Sequence, residues 1–310
     1  MSRVFEALTK ADLEQKRHIE PVFDAGEAVP PVYVDNGQVQ GWQLGSNGKE
    51  RRDTGSLPAV RDGGGKSWRE RMEELFFGWD LRRFSSYPIV ALEKESAASE
   101  QYKILREQIK RLRTETGIQV VSISSPVKRD GKTTVAVNLS AALALDYEQK
   151  VLLIDADLRA PSVHRYFNVK SASGLGEYLS STHAGDITEL VQETFLPGLS
   201  VLPAGRPRSL SSELLAKERM GQLMAELRAR FPDYQMIIDN PPILSTPDPM
   251  VVAKHVDGIL LVVRAGKTPR DYLLKALRSI NSTKVMGIVF NGADLGMASK
   301  YYYYYTDNAH

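Results

Sequence analysis

The fold of this chain is decided by one ten-residue stretch, Ser125-Pro126-Val127-Lys128-Arg129-Asp130-Gly131-Lys132-Thr133-Thr134. The stretch follows an apolar run of strand length, Val120–Ser124, and leads into a helical pattern over residues 131–147. In such a turn a glycine lets backbone N–H groups close on phosphate oxygens, a lysine neutralises their charge, and a threonine hydroxyl binds Mg²⁺. Gly131, Lys132 and Thr133 supply these residue types in that order. They predict a site for a nucleotide phosphate.

One position departs from the usual phosphate-loop pattern, because Pro126 replaces its first glycine. A Gly-Lys-Thr triplet alone is a weak signal, so the prediction depends on its place between a strand and a helix. The residues on either side of the triplet complete the loop. We assign to the binding of ATP the residues Asp130, Gly131, Lys132, Thr133 and Thr134.

Acidic residues follow two further apolar runs of strand length. Val151–Ile154 leads to Asp155 and Asp157, and Met236–Ile238 leads to Asp239. Helix caps and strand-end turns explain one such acid well but three poorly. Mg²⁺ prefers carboxylate, hydroxyl and water oxygens as ligands. The three acids therefore predict a Mg²⁺-nucleotide site, and we assign the metal ligands to Thr133, Asp157 and Asp239.

Strand and helix patterns alternate along the rest of the chain. Further strands are predicted at Leu199–Leu202, Ile259–Val263 and Val285–Phe290. Further helices are predicted at Ser99–Arg113, 212–230, 248–256 and 269–281. Apolar strands that alternate with helices predict an α/β fold with a mainly parallel sheet covered on both faces. In such sheets ligands bind beyond the carboxyl ends of the strands.

Composition narrows the class of protein. The 310 residues carry a net charge of +2, which is too small to indicate a nucleic-acid partner. Cysteine is absent, which excludes disulfides and thiolate metal sites, and the five histidines show no metal-ligand spacing. No stretch approaches the roughly 20 apolar residues that cross a bilayer. We expect a cytoplasmic protein that reaches the inner face of the membrane only through a partner.

Both ends of the chain differ in composition from its centre. Residues 1–87 form a predicted extension, with short amphipathic helices near residues 2–17 and after Ser67. Between them lies a Pro- and Gly-rich linker in which Val32–Val34 could dock. Residues 88–296 are the predicted nucleotide-binding domain.

Residues 297–310 form a tail that contains five consecutive tyrosines. Five adjacent aromatics cannot share one core, because neighbouring side chains point in different directions. A chain terminus is usually accessible. A Mg²⁺-nucleotide site together with a cluster of phenolic hydroxyls suggests a tyrosine kinase that modifies itself. The predicted phosphate acceptors are Tyr301, Tyr302, Tyr303, Tyr304 and Tyr305.

At this point residues 88–305 resemble the bacterial tyrosine kinases known as BY-kinases, a branch of the deviant P-loop group that includes partition ATPases. Ser124–Thr134 resembles their Walker A segment, Leu152–Asp157 their additional Walker A′ segment, and Ile237–Pro242 their Walker B segment. The resemblance implies a P-loop fold and autophosphorylation of the tyrosine tail in trans. It implies a catalytic set of Lys132, Asp155 and Asp157, with Asp155 as the base.

The resemblance also implies assembly and partners. The helix that carries Glu100, Lys103 and Arg106 is similar to the one through which BY-kinases form rings, with Lys103 in place of an arginine. Asn291 follows the last strand, where relatives contact the base of the nucleotide; the alternative is that it is a turn or cap residue. The implied partners are a membrane polysaccharide co-polymerase of capsule or exopolysaccharide export and a tyrosine phosphatase.

Two alternatives remain open from the sequence. The chain could be a nucleotide-switched regulatory ATPase of the partition or positioning type, or a non-catalytic scaffold with the same fold. Partition ATPases carry a signature lysine five residues before the loop lysine, and that position here is Val127. This difference and the tyrosine tail favour the kinase over the regulatory ATPase. The retained lysine, threonine and aspartates argue against the scaffold.

Overall fold

A computed structural model describes residues 32–34, 85, 87–93, 96–146, 149–180, 185–216, 218–280 and 284–293. The predicted amphipathic helices near residues 2–17 and after Ser67 lie outside these ranges. The five predicted phosphate acceptors also lie outside them, and their role stays a prediction: Tyr301, Tyr302, Tyr303, Tyr304 and Tyr305.

Strands and helices alternate through the described residues. The strands are β1 (Val32–Val34), β2 (Val120–Ser124), β3 (Lys150–Asp155), β4 (Gln192–Glu193), β5 (Leu199–Leu202), β6 (Tyr234–Asp239), β7 (Gly258–Arg264) and β8 (Val285–Asn291). The α-helices are α1 (Ala97–Thr116), α2 (Lys132–Ala144), α3 (Val163–Phe167), α4 (Leu175–Leu179), α5 (Ser211–Leu215), α6 (Glu218–Arg230), α7 (Asp248–Val252) and α8 (Arg270–Ser279).

The described strands form one sheet in the order β1-β8-β7-β2-β6-β3-β5-β4. Neighbouring strands are parallel throughout, except for β4, which is antiparallel to β5. The predicted α/β fold with a mainly parallel sheet is therefore confirmed. The strand β6, which ends in Asp239, lies between β2 and β3, and this order brings the phosphate loop and both acidic strand ends to one edge.

Helices cover both faces of the sheet. Leu152 and Ile154 of β3 belong to the core that α4 to α8 cover, whereas Val151 and Leu153 belong to the core beneath α1, α2 and α3. Successive strand residues point to opposite faces, so a strand that is buried on both sides must be apolar throughout. This requirement explains the continuous apolar runs in the sequence.

The predicted helices hold with changes at their ends. α1 begins after Ser96, whose side chain accepts a hydrogen bond from the Ser99 N–H, and it ends before Gly117, whose φ is 73°. The predicted helix 212–230 is two helices, α5 and α6, and the predicted helix 248–256 is α7 followed by a 3₁₀ turn, Ala253–His255. In the described residues, no helix combines the length and apolar character that a bilayer crossing requires.

Strand β1 comes from the region that the sequence predicts as a linker. Val32 pairs with Val289 and Val34 with Asn291, in parallel register along β8. Without this pairing β8 would be the edge strand, with unpaired backbone groups on its outer side. The extension therefore contributes a strand to the sheet of the nucleotide-binding domain.

Candidate active site

The phosphate loop joins the end of β2 to the start of α2. Gly131, the residue before the helix, has a φ of 94°, in the left-handed region that favours glycine. Asp130 holds the loop closed, since its carboxylate accepts from the Val127 N–H at 3.3 Å and from the Thr268 hydroxyl at 2.6 Å. Burial raises the pKa of Asp130, although the bonds from Thr268 and Val127 oppose the shift. The loop is thus tied to the turn that follows β7.

Asn291, at the end of β8, packs directly on this loop. Its side-chain nitrogen donates to the backbone carbonyl of Asp130 at 2.8 Å. A Cβ atom at position 131 would lie 1.9 Å from the same nitrogen. The sequence assigns Asn291 to the nucleotide base; the structure places this buried side chain against the phosphate loop, and the base contact stays a prediction.

Four of the predicted site residues meet at the start of α2. The ammonium group of Lys132 lies 2.9 Å from Oδ2 of Asp157 and 3.8 Å from Oδ1 of Asp239. The Thr133 hydroxyl donates to Oδ2 of Asp239 at 2.7 Å. The end of β6 and the turn after β3 therefore converge on the phosphate loop.

Asp155 is fully buried beneath this cluster. Its carboxylate accepts three backbone hydrogen bonds of 3.1 Å, from the N–H groups of Asp157, Ser162 and Val163. These bonds fold the segment after β3 back over the strand end. Asp157 continues the turn by accepting from the Ala160 N–H at 3.1 Å. Asp155 therefore shapes the loop that presents Asp157.

The buried carboxylates carry more negative charge than Lys132 can balance. Burial, reinforced by the charge of Asp239, raises the pKa of Asp155 to about 8. Burial likewise raises the pKa of Asp239 to about 6, against the opposing effect of Lys132. Burial lowers the pKa of Lys132, but the charges of Asp239 and Asp157 outweigh this effect and raise the pKa above its ordinary value. The lysine therefore stays protonated. The site is short of positive charge.

This arrangement fits Mg²⁺ shared with a nucleotide. Oδ1 of Asp239 is buried without a hydrogen-bond partner, although Lys132 lies 3.8 Å away. A hydroxyl and carboxylates are the hard oxygen donors that Mg²⁺ takes, usually together with waters and phosphates. In the described residues, no group of three or more His, Asp or Glu side chains is arranged to hold a metal by itself. The ion would therefore depend on Thr133 and on phosphate oxygens for its remaining ligands.

Sequence reasoning missed two contacts at this edge. The ring of Tyr166, on α3, packs at a tilt against the ring of Tyr87, with centroids 5.2 Å apart. Asp248, at the start of α7, is fully buried and accepts hydrogen bonds from the hydroxyls of Ser211 and Ser212. The sequence predicts no helix at α3 and does not indicate that the start of α5 packs against α7, so no sequence signal points to these contacts.

The residues assigned to assembly lie on α1, away from the acidic cluster. Glu100 and Lys103 form an ion pair on the helix surface. Arg106 pairs with Glu107 and donates to the carbonyl of Ala142 at 3.4 Å, near the end of α2. Arg106 is thus largely occupied within the chain, and the ring contact stays a prediction.

Comparisons with known proteins identify the family. An AAA domain model matches residues 118–269. The tyrosine-protein kinase YwqD of Bacillus subtilis is 35% identical over 221 residues, which are 70% of this chain and 91% of that protein. The kinase domain of the Escherichia coli tyrosine kinase ETK shares 30% identity with a TM-score of 0.62, over 71% of this chain and 87% of that domain. The match to the curated E. coli protein etk spans only 32% of its length. The chain belongs to the bacterial tyrosine-protein kinases.

Proposed function

We propose that this chain is an ATP-dependent tyrosine autokinase that phosphorylates the cluster Tyr301–Tyr305 of a neighbouring copy. The observation that carries the proposal is the convergence of Lys132, Thr133, Asp157 and Asp239 at the start of α2. The family, whose curated members are named tyrosine-protein kinases, supports the reaction class. The tyrosine cluster supplies the acceptor.

Each residue of the convergent set has a role in this reaction. Lys132 would bind the β- and γ-phosphates of ATP, where it neutralises charge as the terminal phosphoryl group leaves ADP. Thr133, Asp157 and Asp239 would hold Mg²⁺ directly or through water. Mg²⁺ supplies additional charge neutralisation to the phosphate oxygens when it is bound. Gly131 and the backbone N–H groups at the start of α2 would complete the cradle.

Transfer to tyrosine requires a proton acceptor. A phenol has a pKa of about 10 and is a weak nucleophile at neutral pH. The family resemblance assigns this role to Asp155, which would take the phenolic proton as the oxygen bonds to the γ-phosphorus and ADP departs. A carboxylate with a raised pKa suits a base that works near neutral pH. Because Asp155 is buried and holds three backbone N–H groups, Asp157 is the competing candidate.

Regulation and partners follow from the same proposal. The Glu100–Arg106 surface of α1 would join subunits into a ring, which brings the tail of one copy to the site of the next. Through a membrane polysaccharide co-polymerase the ring would sit at the inner face of the membrane. A tyrosine phosphatase would reset the tail. A tagged chain should co-purify with a co-polymerase from membranes. Loss of that partner's gene should remove the tagged chain from the membrane fraction, which would support this placement.

A mixing experiment tests the central proposal. One variant carries Lys132→Met and an intact tail, and a second carries an intact site with Tyr301–Tyr305 changed to Phe. Neither should acquire phosphotyrosine alone with Mg·ATP, whereas the mixture should show phosphotyrosine on the tail of the first variant by mass spectrometry. Phosphorylation of the wild type without phosphorylation in the mixture would indicate transfer within one copy. Absence of phosphotyrosine from the wild type itself would contradict the kinase function.

A further inference from the structure

Three large apolar side chains are exposed on the loops and the short helix that follow strands at the carboxyl edge of the sheet. Leu210 is 61% exposed, Leu244 38% and Met250 38%. Among the residues that the structure describes, the other large hydrophobic side chains exposed to this degree are Tyr87 and Tyr272. Single exposed apolar side chains are common, whereas several in one region indicate a binding surface. Whether Leu210, Leu244 and Met250 form a binding surface therefore depends on where they lie in the fold.

Leu244 adjoins the phosphate loop. It lies in the turn between β6 and α7, and its backbone N–H donates to the carbonyl of Pro126 at 3.1 Å. The preceding residue, Ile243, is buried and donates in the same way to Ser125 at 2.8 Å. The exposed side chain of Leu244 is thus held on a turn that is fixed to the loop expected to bind ATP.

Leu210 and Met250 are joined through buried Asp248. Leu210 immediately precedes α5 and Met250 lies on α7, and the two helices pack against each other. The Ser211 hydroxyl donates to Oδ2 of Asp248 at 2.6 Å. Arg159, from the loop after β3, lies 3.6 Å from the same carboxylate oxygen. One carboxylate therefore joins the loop after β3, the start of α5 and the start of α7, and the last two segments carry Leu210 and Met250.

The tyrosine tail has the chemistry and the position to occupy this surface. Its tyrosines are uncharged at neutral pH and offer apolar ring faces. The described residues end at Ala293, just beyond β8, which runs parallel to β6 and therefore ends at the same sheet edge. Tyr301 is eight residues further on, a reach of up to about 27 Å beyond its own domain, so the tail can extend to the same edge of a neighbouring copy. The end of β6 is three strands from β8, roughly 14 Å away.

We propose that Leu210, Leu244 and Met250 form an apolar docking surface for the tyrosines that flank the one being phosphorylated. The inference rests on the proposed kinase function and deepens it by naming what selects the acceptor. A run of adjacent tyrosines then has a purpose beyond the number of acceptors, because each phosphorylation uses its neighbours as anchors. The surface would favour unmodified neighbours, since a phosphorylated ring carries about −1.5 to −2 charges and binds apolar side chains poorly.

Peptide kinetics test the proposal. The enzyme is the full chain with Tyr301–Tyr305 changed to Ala, so that no internal tail competes. The substrates are peptides spanning residues 299–307 with tyrosine only at position 303, flanked in one peptide by Phe and in the other by Ala. With this enzyme the Phe-flanked peptide should have a KM lower by about tenfold. The triple change Leu210→Ser, Leu244→Ser and Met250→Ser should remove that difference while the KM for ATP and the kcat at saturating peptide persist.

Two further variants make the comparison decisive. Tyr272→Ser removes an exposed aromatic ring from α8 and should keep the preference for Phe. Leu210→Ser alone changes the most exposed of the three residues and should reduce the preference even if the triple variant does not fold.

An unchanged preference for the Phe-flanked peptide in folded surface variants would overturn the docking surface, while phosphorylation of the peptides would still support the kinase function. A lower particle mass with an unchanged preference would instead make this surface a subunit interface, which also overturns the proposal. The proposed kinase function itself would fail if the enzyme phosphorylated neither of the two peptides and if, in addition, the wild-type protein did not phosphorylate its own tail.

Discussion

The side-chain nitrogen of Asn291 donates a 2.8 Å hydrogen bond to the backbone carbonyl of Asp130, across 161 residues of sequence. This bond joins the end of β8 to the phosphate loop and leaves no room for a side chain at position 131. The identity of the loop glycine therefore depends on a residue at the far end of the domain as well as on the phosphate.

Changing Gly131 to Ala should weaken nucleotide binding by about tenfold or more, because φ is positive there and the new Cβ would collide with Asn291. Titration calorimetry with an ATP analogue measures the effect. Gly117→Ala is the matched control, since Gly117 has a φ of 73° but nothing within 4 Å of the added atom. Equal affinities for the two variants would show that the contact with Asn291 is unimportant.

Changing Lys132 to Met should reduce autophosphorylation by about 1000-fold, because the lysine is expected to neutralise the transferred phosphoryl group. Circular dichroism should show an intact fold. Lys128→Met, at an exposed position of the same loop, should leave phosphotyrosine levels near those of the wild type. Wild-type phosphorylation by the Lys132 variant, measured by mass spectrometry, would remove Lys132 from the site.

Asp155→Asn should keep ATP affinity and lose phosphoryl transfer, if Asp155 is the base. Asp157→Asn should lose Mg²⁺-dependent nucleotide affinity, because Asp157 lies beside Lys132 at the predicted metal position. Equilibrium binding and single-turnover transfer separate the two roles. A loss of affinity in the Asp155 variant as large as in Asp157→Asn would contradict the base assignment and make Asp155 a metal ligand or the residue that positions Asp157.

The stability of the metal-free protein should fall as pH rises from 6 to 8. Asp155 has its pKa raised from 3.8 to about 8 in the folded protein, so over this range the folded state binds a proton that the unfolded state has lost. Stability then decreases with pH. Thermal unfolding in EDTA should show a falling Tm, and the fall should be smaller in Asp155→Asn, where only Asp239, with its pKa raised to about 6, still contributes. An identical pH profile in both proteins would refute this assignment.

Phosphorylation of the tail should dissociate the proposed ring, because the added charge would be repelled by the carboxylates and bound phosphates of the neighbouring site. Light scattering on unphosphorylated protein, phosphorylated protein and a variant with Tyr301–Tyr305 changed to Phe measures the mass. The unphosphorylated protein and the Phe variant should have the mass of a ring, and the phosphorylated protein should have a smaller mass. The same mass for all three proteins would show that assembly does not depend on the charge of the tail, and the proposed kinase reaction would stand.

Local sequence patterns are sufficient to predict the elements whose residues are neighbours in the chain. The order strand, phosphate loop and helix is local, and so is the placement of Asp155 and Asp157 after β3 and of Asp239 at the end of β6. Continuous apolar runs indicated strands buried on both faces, because each face must be apolar where helices cover it. These signals were sufficient for the α/β fold and for the residues expected to meet at its edge.

The order of the strands in the sheet and the contacts that the loops make depend on tertiary packing, so the sequence does not predict them. Placing β6 between β2 and β3 brings Asp239 within 2.7 Å of the Thr133 hydroxyl. The bond between Ser211 and Asp248 and the pairing of Val32 with Val289 likewise join distant segments. Such contacts depend on how two covered faces pack and on which buried polar groups can satisfy one another. Hydrophobic periodicity shows which residues are buried but not which faces pack together. It carries no information about which buried polar groups pair with one another.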